Sequence, residues 1–357
     1  MVEGYKGKRV LVTGHTGFKG AWLSLWLIKL GARVIGFSLE EWDNDFVYKR
    51  TGLSRLLLAD EKGDIRDYPK MKAVFEKHKP EIVFHLAAQP IVRTSYDLPL
   101  ETIEINVLGT ANVLECIRNT ASVKAAVIIT TDKCYKNKES IRPYCEEDEL
   151  GGHDIYSCSK ASAELVIDSY RKAFFSHSRK LVASARAGNV LGGGDFGKDR
   201  LVPDCIRALI GKREIEIRNP ESTRPWQFVL EPLSGYLLLG EGLLKGKKEL
   251  AEAWNFGPEQ SSIVAVRKVV ELVIRHYGSG KMRHVRVEDK KHEARLLSLS
   301  IDKAKRRLGW YPKYDLEQTI KSTVEWYKKS QILGQPGLLA YSYKQIEEYE
   351  KSSRKKR

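Results

Sequence analysis

The chain has 357 residues with a formal net charge of +15, is 42% hydrophobic and 30% charged, and so excludes wholesale disorder in favour of one large domain plus a smaller lobe. Its apolar runs are too short to span a bilayer, its first residues lack a signal-peptide core, and its five cysteines (116, 134, 145, 158, 205) show no C-x-x-C spacing; a cytoplasmic protein with free thiols and no metal site is expected. Five of the positive charges fall in the last seven residues, leaving +10 elsewhere, and with no recognition-helix or stacking pattern beside them the expected partner is a small anion, not nucleic acid or a membrane.

In chain order, β-branched apolar runs at Arg9–Thr13, Arg33–Phe37, Ile82–Leu86, Ala125–Thr131 and Leu181–Ala185 read as strands, with a weaker strand before Gly63. Helical patterns at Lys19–Leu30, Tyr68–His78, Leu98–Arg118 and Asp154–Phe175 separate them. Strands apolar almost throughout, alternating with amphipathic helices, predict an α/β fold with a doubly wound, Rossmann-type parallel sheet. From about Arg186 the pattern loosens into Gly- and Pro-rich loops. The expected organisation is a dinucleotide-binding domain over 1–185 with a returning segment at about 228–257. A smaller ligand lobe over 186–227 and 258–335 and a basic C-terminal tail over 336–357 complete it.

Gly14, Gly17 and Gly20, in the stretch Gly14-His15-Thr16-Gly17-Phe18-Lys19-Gly20, run from the first strand into the first helix. The first glycine permits a tight turn, the second lets backbone approach a diphosphate, and the third lets helix pack close to strand. The G-x-x-G-x-x-G spacing is that of short-chain dehydrogenases. His15 inside this loop suits packing better than ligation. Glu40, twenty residues beyond Gly20, can accept hydrogen bonds from ribose hydroxyls and repel a 2′-phosphate, so NAD is expected over NADP. Asp64 and Ile65, the loop Leu86-Ala87-Ala88-Gln89, and Asn106 complete the expected cofactor lining.

Tyr156 and Lys160 stand one helical turn apart on one face. The lysine's charge, with that of a nicotinamide, is expected to draw the phenol from about 10 toward neutrality, worth about 4 kcal/mol at about 1.36 per unit. The same Tyr-x-x-x-Lys spacing recurs at Tyr68/Lys72 and Tyr277/Lys281; what singles out Tyr156 is Thr131, 25 residues earlier at the end of a buried strand. Asp132 and Lys133 follow directly, and two ionisable groups there suggest proton transfers beyond a simple oxidation.

The segments Thr13–Gly20, Thr131–Tyr135, Arg186–Gly194 and Arg218–Gln227 resemble the nucleotide-sugar 4,6-dehydratases of the extended short-chain dehydrogenase/reductase family, in their CDP-glucose branch. The resemblance runs from about residue 5 to 330. Related dehydratases carry Thr-Asp-Glu where this chain has Thr131-Asp132-Lys133, and an Asp-Asp pair where it has Leu230-Glu231-Pro232. Both departures match the CDP-glucose branch.

The resemblance implies dehydration of CDP-glucose: oxidation at C4, loss of water across C5 and C6, and reduction at C6, with NAD retained. Tyr156 would be the base, Lys160 its support, Thr131 its orienting hydroxyl and Asp132 the acid. For the C5 proton two readings stay open: Lys133, directly or through a water, or Tyr156 with Lys133 merely pairing. Asn189, Arg200, Arg224 and His292 are the substrate-binding candidates. A homodimer or homotetramer is implied through helices 98–118 and 154–175, which carry apolar residues such as Ile103, Ile105, Val107, Leu108 and Val113 on more than one face. Deoxysugar biosynthesis for lipopolysaccharide is the implied setting. The rivals are another nucleotide-sugar dehydratase, a 4-epimerase or decarboxylase, which has no use for an acid at C6, and a non-catalytic NAD-sensing protein.

Overall fold

Seven strands build one parallel sheet, most of them apolar runs rich in β-branched or small residues: β1 (Arg9–Thr13), β2 (Arg33–Ser38), the polar edge strand β3 (Ala59–Lys62), β4 (Ile82–His85), β5 (Ala125–Ile129), β6 (Leu181–Ala187) and β7 (Ala253–Phe256). The computed structural model describes residues 3–40, 47–197, 199–285 and 296–353. The strand order is β7-β6-β5-β4-β1-β2-β3, every pairing parallel. The chain winds outward from β1 to β3 and then returns to β4 on the other side of β1. That reversal opens a crevice above the carboxyl ends of β1 and β4, where open α/β sheets bind ligands.

Period-two alternation explains why both faces are dry. Val10 and Val12 of β1, Ile82 and Phe84 of β4, and Val127 and Ile129 of β5 face one core; Leu11, Val83, Ala126 and Ile128 face the other. The first face is covered by α1 (Phe18–Lys29) and the second by α2 (Tyr68–His78), α3 (99–119) and α4 (Ile155–Tyr170). Helix α3 takes one wider π turn at Glu104–Leu108, and α4 ends in another at Arg171–Phe175. Asp154, expected as the first helical residue, is instead the cap of α4: its carboxylate accepts from Ser157 N at 2.9 Å and Ser157 Oγ at 2.7 Å.

Beyond β6 come α5 (Leu201–Ile210), α6 (Leu230–Leu244), α7 (Val266–Tyr277) and α8 (Leu316–Ile332). Three two-stranded sheets stitch these segments together: Val190–Leu191 with Gln227–Phe228, Thr223–Pro225 with Ile263–Ala265, and Ile215–Ile217 with Met282–His284. Helix α6 and strand β7 return to the main sheet.

The stretch expected as a basic tail from 336 is instead helix α9 (Gln335–Lys351), packed back on the first core face. Glu231 anchors it: the buried carboxylate accepts from the backbone of Lys313 and Tyr314 at 2.8 and 2.7 Å and from the Tyr349 hydroxyl at 2.6 Å. Burial pushes Glu231 up to about 7, against the pull of these hydrogen bonds. Trp26 reinforces the contact, its indole N–H donating to Glu350 at 2.7 Å.

Candidate active site

The glycine loop has the shape a diphosphate needs. Gly14 adopts φ +73°, and a Cβ there would lie 2.7 Å from the Ala87 nitrogen; a Cβ on Gly20 would lie 2.1 Å from the Gly14 carbonyl oxygen. Helix α1 begins at Gly17 with no capping side chain and no acidic residue in its first turn. Its first N–H groups therefore face the crevice without a built-in anion, which fits a dinucleotide diphosphate. Thr13 ties this loop to the one after β4, accepting from Ala87 N at 3.3 Å through its hydroxyl and from Leu86 N at 3.1 Å through its carbonyl. Asn106 fixes the far side by accepting from Gln89 N at 2.9 Å and donating to Ser159 Oγ at 2.9 Å.

At the β2–β3 end of the crevice, where adenosine is expected, the charges are already paired. His15 is fully buried and its Nε2 lies 2.8 Å from Asp60 Oδ1, so it shapes the loop from beneath. Asp60 also accepts from Tyr48 and pairs with Lys62 at 3.0 Å. Burial pushes the Asp60 carboxyl up, but hydrogen bonds from His15, Tyr48 and Lys62 together hold it well below the usual carboxylate range. Asp64 is bound to Arg66 at 2.6 Å. Thr16 shares a 2.7 Å hydrogen bond with Ser38, the last residue of β2, and Glu40 stands exposed two residues further on. Ile65 is buried against Gly109, and Phe18 lies in the core under the loop.

The end beside β5 and α4, where hydride transfer is expected, differs. The buried Thr131 hydroxyl donates to Asp132 at 2.9 Å and accepts from Lys133 N at 3.3 Å, in the turn that follows β5. Gly188 leaves room for the Asp132 carboxylate, since a Cβ there would come within 2.5 Å of it. Burial raises the Asp132 pKa, opposed by the Lys133 charge, the Thr131 hydrogen bond and Arg224. The direction is the one that suits a group acting as an acid.

Burial also pushes the Tyr156 phenol up, opposite to the depression expected from Lys160; the Thr131 hydrogen bond and the Arg200 charge pull it down without prevailing. Lys160 falls to about 8, lowered by burial and supported by Glu164 one turn along the helix. Beneath the site, Glu164 forms a fully buried pair with Arg186 at 2.8 Å and accepts from Thr130 and Ser184.

The structure gathers Thr131, Asp132, Lys133, Tyr156 and Lys160 at one edge, with Arg200 and Arg224 near enough to act on Tyr156 and Asp132. Arg200 is itself paired with Asp195 at 2.8 Å. Arg224 lies half-buried in the strand Thr223–Pro225 and Asn189 just ahead of Val190–Leu191; His292 lies outside the described residues. Sequence reasoning missed Glu164, Arg186, Asp60 and Tyr48. An acidic residue one turn beyond the Tyr-x-x-x-Lys pair was the available signal for Glu164. Among the described residues no cluster suits a metal ion, and no helix is long and apolar enough to cross a membrane.

A parallel Rossmann-type sheet, a glycine loop at its switch point and a Thr–Tyr–Lys set at the end of β5 define a member of the short-chain dehydrogenase/reductase class. Residues 11–323 match the family model described as GDP-mannose 4,6 dehydratase, and the chain belongs to that family. It is 43% identical over 350 residues to the CDP-glucose 4,6-dehydratase of Salmonella typhimurium, covering 97% of each chain. It is 28% identical over 354 residues to a dTDP-glucose 4,6-dehydratase of Xanthomonas campestris, covering 94% of this chain and 97% of that one. Among solved structures, an epimerase of Methanothermobacter thermautotrophicus superposes with TM-score 0.80 at 26% identity, over 92% of this chain and 95% of its own. The dTDP-glucose 4,6-dehydratase of Streptomyces venezuelae, with NAD bound, shares the fold at TM-score 0.76 and 23% identity, over 92% and 99% of the two chains.

Proposed function

We propose that this chain is an NAD-dependent lyase that converts CDP-glucose to CDP-4-keto-6-deoxyglucose. The observation that carries this reading is Asp132, a buried carboxyl raised toward its acid form beside the Thr131–Tyr156–Lys160 set, in a chain 43% identical to a relative named for that reaction. Tyr156 takes the proton of the C4 hydroxyl, Thr131 orients it, and Lys160 supplies positive charge one turn away. The new ketone acidifies the C5 proton, which Lys133 removes, while Asp132 gives its proton to the C6 oxygen so that it departs as water. The glycine loop would hold NAD, which when bound would supply a hydride acceptor for C4, the donor for C6 and a positive charge favouring the Tyr156 phenolate; as C6 is reduced, Lys133 returns its proton to C5.

Arg224, Arg200 and Asn189 suit the substrate diphosphate, guanidinium geometry matching phosphate oxygens. The segments 1–185 and about 228–257 serve the dinucleotide, and 186–227 with 258–335 the nucleotide sugar. Leu100 (75% exposed), Leu165 (57%) and Leu108 (52%) on α3 and α4 are costly to leave in water, and a homodimer closing these faces together covers them. Its setting is cytoplasmic deoxysugar synthesis for lipopolysaccharide. Incubation with CDP-, UDP-, TDP- and GDP-glucose, followed by mass analysis, tests the assignment. Loss of one water from CDP-glucose in clear preference is expected; preference for another nucleotide overturns the substrate, and no loss of water from any overturns the reaction.

A further inference from the structure

The turn that carries Asp132 and Lys133 does little to hold its own shape. Cys134 N reaches Thr131 O and Tyr135 N reaches Asp132 O, both at 3.4 Å, and Lys133 N reaches the Thr131 hydroxyl at 3.3 Å. All three hydrogen bonds are long. The turn is fixed from outside, by a buried side chain at each end.

At its front, the Thr130 hydroxyl donates to Glu164 on α4, and Thr130 N donates to Ala185 O of β6 at 2.9 Å. At its rear, the hydroxyl of the buried Tyr135 donates to Asn255 Oδ1 on β7 at 2.8 Å and accepts from Arg186 Nη1 on β6 at 2.8 Å. Arg186 continues to Glu164 through Nη2 at 2.8 Å and to Glu146 O at 3.1 Å. Asn255 is held in turn, its backbone N–H donating to the Glu146 carboxylate at 2.8 Å and its amide to Tyr144 O at 3.0 Å. One buried network thus grips both ends of the turn and ties them to α4, β6 and β7.

The Tyr135 ring stacks on Tyr144 with centroids 5.3 Å apart and lies 5.0 Å from the Arg186 guanidinium, contacts that a phenylalanine would keep. The hydroxyl is the part that is costly to bury, and it is satisfied on both sides. Its work is therefore to anchor, not to fill space.

We propose that Tyr135 is a positioning residue for the elimination step: it holds the rear of the turn so that Asp132 and Lys133 stay aligned on C6 and C5. Oxidation at C4 depends on it little. Tyr156 and Lys160 stand on α4, and Thr131 keeps its front anchor through Thr130. Release at the rear shifts Asp132 and Lys133, and misplacement by about 1 Å costs about a hundredfold in rate. The inference rests on the dehydratase reading above and divides its steps between two parts of the scaffold.

Rapid mixing of the NAD-loaded full chain with CDP-glucose, followed at 340 nm and by product mass, reads the two steps apart. Tyr135→Phe should reduce bound NAD within about threefold of the wild-type rate yet form product about a hundredfold more slowly, so that bound NADH accumulates. Asn255→Leu removes the acceptor of the same hydroxyl and should give the same split; it carries the test if Tyr135→Phe fails to fold by circular dichroism. Tyr144→Phe keeps the stacked ring and every anchor of the turn, and should leave both steps unchanged. Normal product formation in folded Tyr135→Phe, or both steps slowed alike, overturns the role of Tyr135 while leaving the dehydratase reading intact. A wild type that neither reduces its NAD nor releases water with any nucleotide-linked glucose overturns both.

Discussion

The two ends of the crevice solve the problem of buried charge in opposite ways. At the adenosine end, His15, Asp60, Tyr48 and Lys62 close a network in which the carboxylate receives three partners, and Asp64 is paired with Arg66. At the hydride end, Lys19, Lys160 and Asp132 are displaced toward their uncharged forms by burial. A satisfied network is rigid and shapes a pocket; displaced groups are ready to exchange protons. On the proposed function, one cleft would separate recognition from chemistry by how completely each end satisfies its own charges.

The sharpest break of this contrast is Tyr156→Phe. Removing the group that accepts the C4 proton should lower turnover of CDP-glucose by about 10⁴-fold, the upper range for a general base, with the fold intact by circular dichroism. Loss of less than about tenfold would place the base elsewhere. In the wild type, Lys160 near 8 predicts that support for the phenolate is lost as pH rises through 8, because the lysine gives up its charge there. The kcat profile should bend downward above that point.

Glu164 tests the border between the two regimes, since it joins a structural ion pair to the catalytic helix. Glu164→Ala leaves Arg186 charged and buried and should cost about 3–5 kcal/mol in denaturant unfolding. Replacing both, as Glu164→Met with Arg186→Met, should cost less than either single change because no uncompensated charge remains. Additive losses in that cycle would show that the pair carries no coupling.

Lys133 sharpens the comparison from within the hydride end. Lys133→Met in heavy water should still reduce bound NAD, read as absorbance near 340 nm. Product should form about a hundredfold more slowly, with no deuterium at C5. Normal dehydration with C5 labelled would give the second proton transfer to Tyr156.

Strands β1, β2, β4, β5 and β6 were legible because they are apolar runs whose residues alternate between two cores, as in Val10-Leu11-Val12; β3, reading Ala-Asp-Glu-Lys, gave only a weak signal, and β7 was not named as a strand. Helix α9 was not. Its buried face mixes Leu338, Ile346 and Tyr349 with Ser342 and Gln345, which blurs the apolar period, and the basic cluster just beyond it reads as solvated tail. In the site, Tyr156 and Lys160 were legible as neighbours on one helix. The direction of the Tyr156 shift was not, because burial depends on what the fold stacks above the ring. Arg186 meets Glu164 across 22 residues and Asp60 meets His15 across 45, pairings that local spacing does not encode.

Glu40 gives the smallest expected effect and probes the adenosine end from its open side. It stands exposed just past Ser38, whose register partner on β3 is Lys62. Lys62 is the nearby cation that a 2′-phosphate would seek, but Asp60 and Tyr48 already hold it at 3.0 and 3.1 Å. The satisfied network therefore withholds a phosphate partner, and Glu40 adds repulsion that solvent partly screens. Glu40→Arg removes the repulsion and supplies a guanidinium, yet leaves Lys62 committed. The preference for NAD over NADP, measured as the ratio of dissociation constants, should shrink by about tenfold without reversing. An unchanged ratio would show that Glu40 is only a surface residue. A reversal would show that exposed charge, not the paired network beneath it, decides which dinucleotide binds.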